Sequence, residues 1–381
     1  MTTYQKIVPI ANQILKKYDL CDHCLGRLFS KQLYLSSNKL LGKKLKKNSK
    51  STQRCYICKN LFDNLNYFLK MMLDSVSSYS YSSFSVGATI KPSIIDRDDV
   101  IRSKFKLKGI DGIKTDITKE LVKLFSKKTK KTFDYLDPEI VFTVNLKDES
   151  CNVRSKSLTL SGRYVKPVRD FLQKQKSCSN CLGKGCRICD FHGITEYDSV
   201  EGEISQFLFK KLGGTTAKFT WIGGEDKSSL ILGMGRPFFA KIQNPHKRNL
   251  RTPSAKLDHI QLNNVKIVSD SPKKPLKFNS LVEAKISASS KINSKLLPKL
   301  KNLTKKPITV YEKSGKRSEK EILSIKYKKH DDMSFTLFFK FEGGLPVKRF
   351  VTGDDVSPGI SQILGVSCKC VEFDFHDVEV K

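Results

Sequence analysis

Apolar side chains recur at Tyr4, Ile7, Val8, Ala11, Ile14, Leu15 and Tyr18. That i, i+3, i+4, i+7 spacing marks one helix face and predicts a helix over 4–18. A second short helix follows Cys21-Asp-His-Cys-Leu-Gly-Arg-Leu-Phe29, and a third is expected from Cys55 to about Leu73. Ser75 to Ser85, rich in Ser and Tyr, reads as a linker or polar loop. Residues 84–170 look like a mixed α/β unit. Strands are expected at Phe84–Ile90, Ile140–Val144 and Ser157–Leu160, and helices at Asp116–Phe125 and Lys166–Gln175. Beyond residue 189 strand patterns dominate. Phe335, Leu337, Phe339 and Phe341 alternate as one buried sheet face would require.

The chain has 381 residues, enough for two to three domains. With 39% apolar residues and 23 phenylalanines it can build real cores, so global disorder is excluded. Lys+Arg is 70 against 38 Asp+Glu, a formal charge of +32. A lysine-rich solvated surface alone strains to explain this excess, which points to a polyanion partner. No run approaches 18 consecutive apolar residues, so no membrane span is expected. The opening Met1-Thr-Thr-Tyr-Gln-Lys6 carries no apolar signal core. The expectation is a reducing, cytoplasmic setting.

Cysteine changes the picture most. Eight of the eleven fall into C-x-x-C pairs: Cys21/Cys24, Cys55/Cys58, Cys178/Cys181 and Cys186/Cys189. Two thiolates two residues apart can turn towards one ion, and two such knuckles complete a tetrahedral Zn(Cys)4 site. The expected cofactor is one or two structural zinc ions, with iron–sulfur clusters or redox thiols as the other uses of such pairs. Spacing leaves open whether the pairs exchange between clusters. Cys151, Cys368 and Cys370 read as small buried hydrophobes.

The segment with the most pointed chemistry is Phe219-Thr-Trp-Ile-Gly-Gly-Glu-Asp226, then Leu232-Gly-Met-Gly-Arg-Pro-Phe238 and Gln243-Asn-Pro-His-Lys-Arg248. A strand with the only Trp runs into a Gly-Gly turn that exposes two acids near basic groups. An acid so placed stays ionised, which suits a nucleophile. An ordinary hairpin turn is the competing reading.

Four stretches together resemble the archaeal and eukaryotic pseudouridine synthases of the Pus-ten type. They are Cys21–Phe29 with Cys55-x-x-Cys58; Leu160-Ser-Gly-Arg-Tyr-Val-Lys-Pro-Val-Arg169; Cys178–Cys189 with Gly193 and Ser199-Val-Glu201; and Gly223–Pro237 with Asn244-Pro-His246 and Gly343–Gly365. The resemblance implies an α+β protein: an N-terminal zinc-binding, THUMP-like α/β accessory domain followed by a mixed-sheet catalytic domain. The boundaries it suggests are 1–75 for the helical knuckle region and 76–175 for the THUMP-like region. The second cysteine cluster then takes 176–194 and the catalytic domain 195–381.

In that family an Asp cleaves the uridine glycosidic bond without a cofactor, and Asp226 aligns with it; Lys348 aligns with the basic residue that pairs with the Asp. The substrate implied is tRNA, at T-loop uridines 54 and/or 55; the sequence is silent on oligomeric state, and a monomer is assumed. Arg163, Lys166 and Arg169, with Arg236, Lys247 and Arg248, are the expected RNA-binding residues; for Arg236 the competing reading is a side chain that caps its turn. Basic clusters at Lys43, Lys44, Lys46 and Lys47 and at Lys127–Lys131 add to them.

Several positions depart from the family. Its Arg before Glu-Asp is Gly224, and the acid two residues after the Asp is Ser228. The base-stacking Tyr is Val282, with Phe278 a substitute only under a register shift. Thr-Tyr before Val347 is Leu345-Pro346, and a loop is shortened to Gly353-Asp-Asp-Val-Ser-Pro358. These departures predict that Asp226 is harder to keep ionised and that base capture is weaker. The alternative function is an inactive tRNA-binding protein or RNA chaperone on the same scaffold. No Gly-x-Gly-x-x-Gly or P-loop motif supports another THUMP-bearing enzyme, and neither cluster has the spacing of a DNA-binding zinc finger.

Overall fold

The computed structural model describes residues 3–33, 37–46, 54–312 and 315–381. Lys47, one of the basic residues singled out above, lies outside the described residues. The chain divides into two compact units, Met1–Lys156 and Ser157–Lys381.

In the first unit α1 (Thr3–Leu15) buries Ile7, Ala11 and Ile14. Two helices then cross closely, α2 (Asp22–Ser30) and α3 (Asn38–Lys46). Gly26 and Gly42 make this possible: a Cβ on Gly26 would collide with the Asn38 carbonyl, and one on Gly42 with that of Asp22. The third expected helix starts later than Cys55, as α4 (Leu65–Ser75). A four-stranded sheet follows, built from β1 (Ser83–Thr89), β2 (Thr132–Phe133), β3 (Ile140–Asn145) and β4 (Ser150–Ser155) in the order β2-β1-β3-β4. Its helices are α5 (Pro92–Lys104) and α6 (Ile113–Thr129). Phe125 of α6 packs at 4.7 Å from the ring of Phe84 and 4.9 Å from that of Phe142, on the two central strands. Arg27 forms a buried ion pair with Asp98 and donates to the Asp111 carbonyl at 2.8 Å.

The second unit is built on a nine-stranded sheet. Its strands are β5 (Leu158–Lys166), β6 (Ala217–Trp221), β7 (Ile231–Ile242), β8 (Ala255–Lys256), β9 (Gln261–Val268) and β10 (Phe278–Ala288), then β13 (Ile322–Lys329), β14 (Ser334–Glu342) and β16 (Cys368–Val380). The order is β13-β14-β10-β16-β7-β5-β9-β8, with β6 paired to β7. A small sheet joins β11 (Ile308–Tyr311) to β12 (Arg317–Lys320) and β15 (Val356–Ser357). The helices are α7 (Val200–Leu212), α8 (Val347–Thr352) and α9 (Ile360–Leu364). As the alternation predicts, Phe335, Leu337, Phe339 and Phe341 are all buried on β14.

Two expectations are corrected. The stretch 158–166 is no part of the accessory unit: β5 pairs with β7 on one side and β9 on the other, inside the large sheet. The division therefore falls at 156/157 rather than near 175. The helix expected at Lys166–Gln175 is absent. Lys166 ends β5, Pro167 breaks the chain's regularity, and the following backbone is satisfied by tertiary partners instead. Phe171 N donates to Lys227 O, while Leu172 O and Gln173 O accept from Val200 N and Glu201 N.

Among the described residues no helix is long and apolar enough to cross a membrane.

Candidate active site

Every neighbouring pair in the large sheet is antiparallel except β16 with β7, which meet in parallel at the single register pair Phe375–Ile231. Two antiparallel halves thus join along one seam. The turn 222–230, between β6 and β7, crosses that seam: Leu230 N donates to Asp374 Oδ1 at 2.9 Å, and Phe375 N donates to Leu230 O at 3.0 Å.

Asp226 lies on this turn. Lys348, near the start of α8, donates from Nζ to Asp226 Oδ2 at 2.7 Å. Ser228 donates to Oδ1 twice, from its backbone N at 3.0 Å and its hydroxyl at 2.7 Å. Partial burial disfavours the carboxylate, but the Lys348 and Ser228 hydrogen bonds outweigh it and bring the pKa down to about 2. Asp226 is therefore a charged, oriented carboxylate, with its side chain 30% exposed. The expectation that it would be hard to keep ionised is corrected by these partners. Where the family is expected to carry an acid, Ser228 supplies two donors. Gly224 is exposed with nothing within 4 Å of a Cβ built there, so the missing Arg leaves no gap in the packing.

Glu225 points the other way, its side chain wholly buried. Tyr164 donates to its Oε2 at 2.7 Å, Lys166 Nζ lies 3.3 Å from Oε1, and Arg236 Nε lies 3.5 Å from Oε2. Lys166 is thus an interior residue, not the RNA-facing cation expected of it, and of the two readings of Arg236 its burial favours the turn cap over the phosphate ligand. Arg236 caps the turn by donating to Ile222 O at 3.0 Å, with its guanidinium 4.3 Å from the Phe375 ring centroid. Arg163 spends its guanidinium on the carbonyls of Met234, Gly235 and Val378. Arg169 grips Asp374 with two 2.8 Å hydrogen bonds. Lys247 is exposed and Arg248 half-buried.

Val282 is fully buried on β10, facing Phe339 and Phe375 across the neighbouring strands, and cannot receive a base. Phe278, at the start of the same strand, packs its ring against Gly223 and Gly343 so closely that neither position has room for a Cβ. An aromatic ring therefore borders the Asp226 turn without any register shift.

The cysteine pairs sort as two separate clusters. Within Cys21, Cys24, Cys55 and Cys58, and within Cys178, Cys181, Cys186 and Cys189, all Sγ atoms lie within 4.8 Å of one another. The Sγ atoms of Cys21 and Cys58 and of Cys186 and Cys189 are 3.7 Å apart, and those of Cys181 and Cys189 3.8 Å. A tetrahedron with Zn–S bonds of about 2.3 Å has edges of about 3.8 Å, so the donor sets fit zinc. Backbone N–H groups of Gly185 and Gly193 point at Cys181 and Cys189 Sγ, as thiolate ligands require. Such four-sulfur sites have no open position for chemistry. Of the basic clusters, Lys43, Lys44, Lys127, Lys128 and Lys130 are exposed, whereas Lys46 pairs with Asp22 at 3.0 Å.

Comparison with known proteins agrees with this division. The model of the Pus10 C-terminal region matches residues 159–379, and that of the archaeal Pus10 THUMP domain matches 68–145. The chain belongs to the Pus10 family of pseudouridine synthases. A protein of Nitrosopumilus maritimus (strain SCM1) named tRNA pseudouridine synthase Pus10 is 88% identical over 381 residues, covering 100% of both chains. One of the same name from Cenarchaeum symbiosum (strain A) is 35% identical over 366 residues, 96% of this chain and 90% of that protein. A third, from Methanothermobacter marburgensis, is 30% identical over 385 residues, 94% of this chain and 95% of that protein.

Proposed function

We propose that this protein isomerises uridine to pseudouridine in the T loop of tRNA, at positions 54, 55 or both, with Asp226 acting at C1′. The observation that carries this reading is the Asp226–Lys348 pair, ionised and open to solvent at the seam of the large sheet. The target uridine is flipped out of the folded loop, and Phe278 offers its ring as one wall for the base. The Asp226 carboxylate attacks C1′ or stabilises the charge that develops there as the N1–C1′ bond breaks. The base rotates and C5 bonds to C1′, releasing the Asp226 carboxylate where it had bonded there; the proton on C5 is lost and N1 ends protonated. No atom is gained or lost, and no cofactor enters the chemistry.

Both cysteine clusters hold zinc in this reading, for structure alone. The protein works as a monomer in the cytoplasm, where its substrate is found.

Lys348→Met tests the pair. Its removal is expected to slow single-turnover isomerisation by about 10²-fold, the usual cost of losing one charge partner in a preorganised site. The depressed pKa of Asp226 stabilises the fold fully above its ordinary value near 4, and this contribution fades as pH falls towards 2. The variant should lose the share of that acid-dependent increment that Lys348 supplies and keep the share from Ser228, which melting curves between pH 5 and 2.5 would read.

Docking led by phosphates predicts steep salt dependence. With 6–10 phosphate contacts, tRNA affinity should fall about 10³-fold or more between 50 and 200 mM salt. Filter-binding titrations would measure it, and a flat dependence would argue against lysine-led docking.

A further inference from the structure

The buried charges beneath Asp226 have a common target. Lys166, at the end of β5, is fully buried and sends Nζ to Lys227 O at 3.2 Å and to Phe171 O at 3.1 Å, with Glu225 Oε1 at 3.3 Å as its counter-charge. Arg236 donates to Ile222 O on the other side of the turn. Gln173 reaches Gly223 O at 3.4 Å and also donates to the Tyr164 hydroxyl at 3.0 Å. Arg169 donates to Ser228 O at 2.6 Å. The carbonyls of Ile222, Gly223, Lys227 and Ser228 are therefore held from below by side chains of β5, its extension and β7. They flank Asp226 on both sides.

An ammonium buried to this degree is costly. Burial pulls the Lys166 pKa down, with the Glu225 charge resisting. A buried ion pair is weak evidence for stability, since well-packed apolar residues often do as well. What an apolar side chain cannot do is hold the carbonyl next to the reacting carboxylate at a fixed distance.

We propose that Lys166 is a positioning residue for the isomerisation: seated on Glu225, it fixes the Lys227 carbonyl and thereby the place of the Asp226 carboxylate against C1′. This rests on the reading of Asp226 given above. Near-attack geometry tolerates little displacement, and a shift of about 1 Å can cost about 10²-fold in rate. Lys166 touches no substrate, so its loss slows chemistry without weakening tRNA binding.

The test uses the full-length protein with unmodified tRNA. Lys166→Met keeps the side-chain length and leaves Glu225 paired with Arg236 and Tyr164. Glu225→Gln keeps the acceptor for Tyr164 but removes the counter-charge of Lys166. It provides a second route to the answer if the first variant does not fold. Both are compared with Asp226→Asn in single-turnover rate and tRNA Kd, below the melting temperature of each variant. The expected result is a rate reduced about 10²-fold in Lys166→Met and about tenfold in Glu225→Gln, with Kd unchanged in both.

Wild-type rates in folded variants, beside an inactive Asp226→Asn, would overturn the positioning role and leave the reading of Asp226 standing. A rate that falls together with tRNA affinity, Kd rising, would also overturn it, because Lys166 would then serve RNA binding or general folding. An active Asp226→Asn would overturn the reading of Asp226 itself.

Discussion

Replacing Asp226 with alanine should abolish pseudouridine formation while leaving tRNA affinity within about twofold of the wild type. The expected loss in single-turnover rate is on the order of 10⁴-fold or more, the scale on which removal of a reacting group is felt in other covalent mechanisms. The reason lies in how the site is built. Lys348 and Ser228 both satisfy the Asp226 carboxylate, and neither can replace it. An ammonium and a hydroxyl cannot stabilise positive charge at C1′. Affinity is expected to survive because Asp226 is one acid on a chain of formal charge +32. Removing a negative group near an RNA backbone does not weaken the attraction. Single-turnover assays with filter-binding controls would separate the two quantities. Full activity in the alanine variant would leave the tRNA-binding scaffold as the better reading.

Loss of metal from the first cysteine cluster should unfold the N-terminal unit. Cys24, Cys55 and Cys58 are buried, and they belong to the same apolar core as Ile7, Ala11, Leu25 and Ile57. Apparent binding energies for structural zinc in small domains are on the order of 10 kcal/mol. Whole domains are stable by only about 5–15 kcal/mol, so the ion's contribution is comparable with all the rest. Cys58→Ser, or chelator with mild denaturant, is expected to release zinc and to remove the amide protection of α1, α2 and α3. The second unit should keep its large sheet, whose core is built on β7, β10, β14 and β16 rather than on its knuckle. Metal analysis of the intact protein should return about two zinc ions per chain, one for each cluster. Well under one would contradict the account.

The elements legible in the sequence are those whose periodicity is strong and whose partners are local. The α1 face, the β14 alternation and the C-x-x-C pairs each carry their signal within a dozen residues. Three features were not legible for identifiable reasons. The helix α7 lies within a region whose patterns predict strands. Its signals were present in Ser199 as N-cap, accepting from Gly202 N, and in Glu201 and Glu203 followed by Lys210 and Lys211. The segment 166–175 reads as helix, yet its backbone pairs with the Asp226 turn and with α7, partners 28 to 56 residues away. Local propensity has no access to such contacts.

The third is the site's polarity. Lys166 reads as a surface cation, and Arg236 as a phosphate ligand or a turn cap, because isolated lysine and arginine are almost always exposed. Only the fold places the Glu225 carboxylate between them. Adjacent acids in the sequence gave no sign that Glu225 would face the core while Asp226 faces solvent. In sequence Phe278 substitutes for the stacking Tyr only under a register shift, because its nearness to Gly223 is created by the start of β10, not by spacing. Alignment with a family motif located Asp226 and Lys348, but their 2.7 Å contact is a product of the tertiary structure.

The most direct test of the central claim is to incubate unmodified tRNA with the purified protein and map pseudouridine by carbodiimide-stop sequencing, with Asp226→Asn in parallel. The account predicts new stops in the T loop, at position 54, 55 or both, for the wild type and none for the variant. Stops that persist in the variant, or tRNA that binds tightly and acquires no pseudouridine from the wild type, would contradict it.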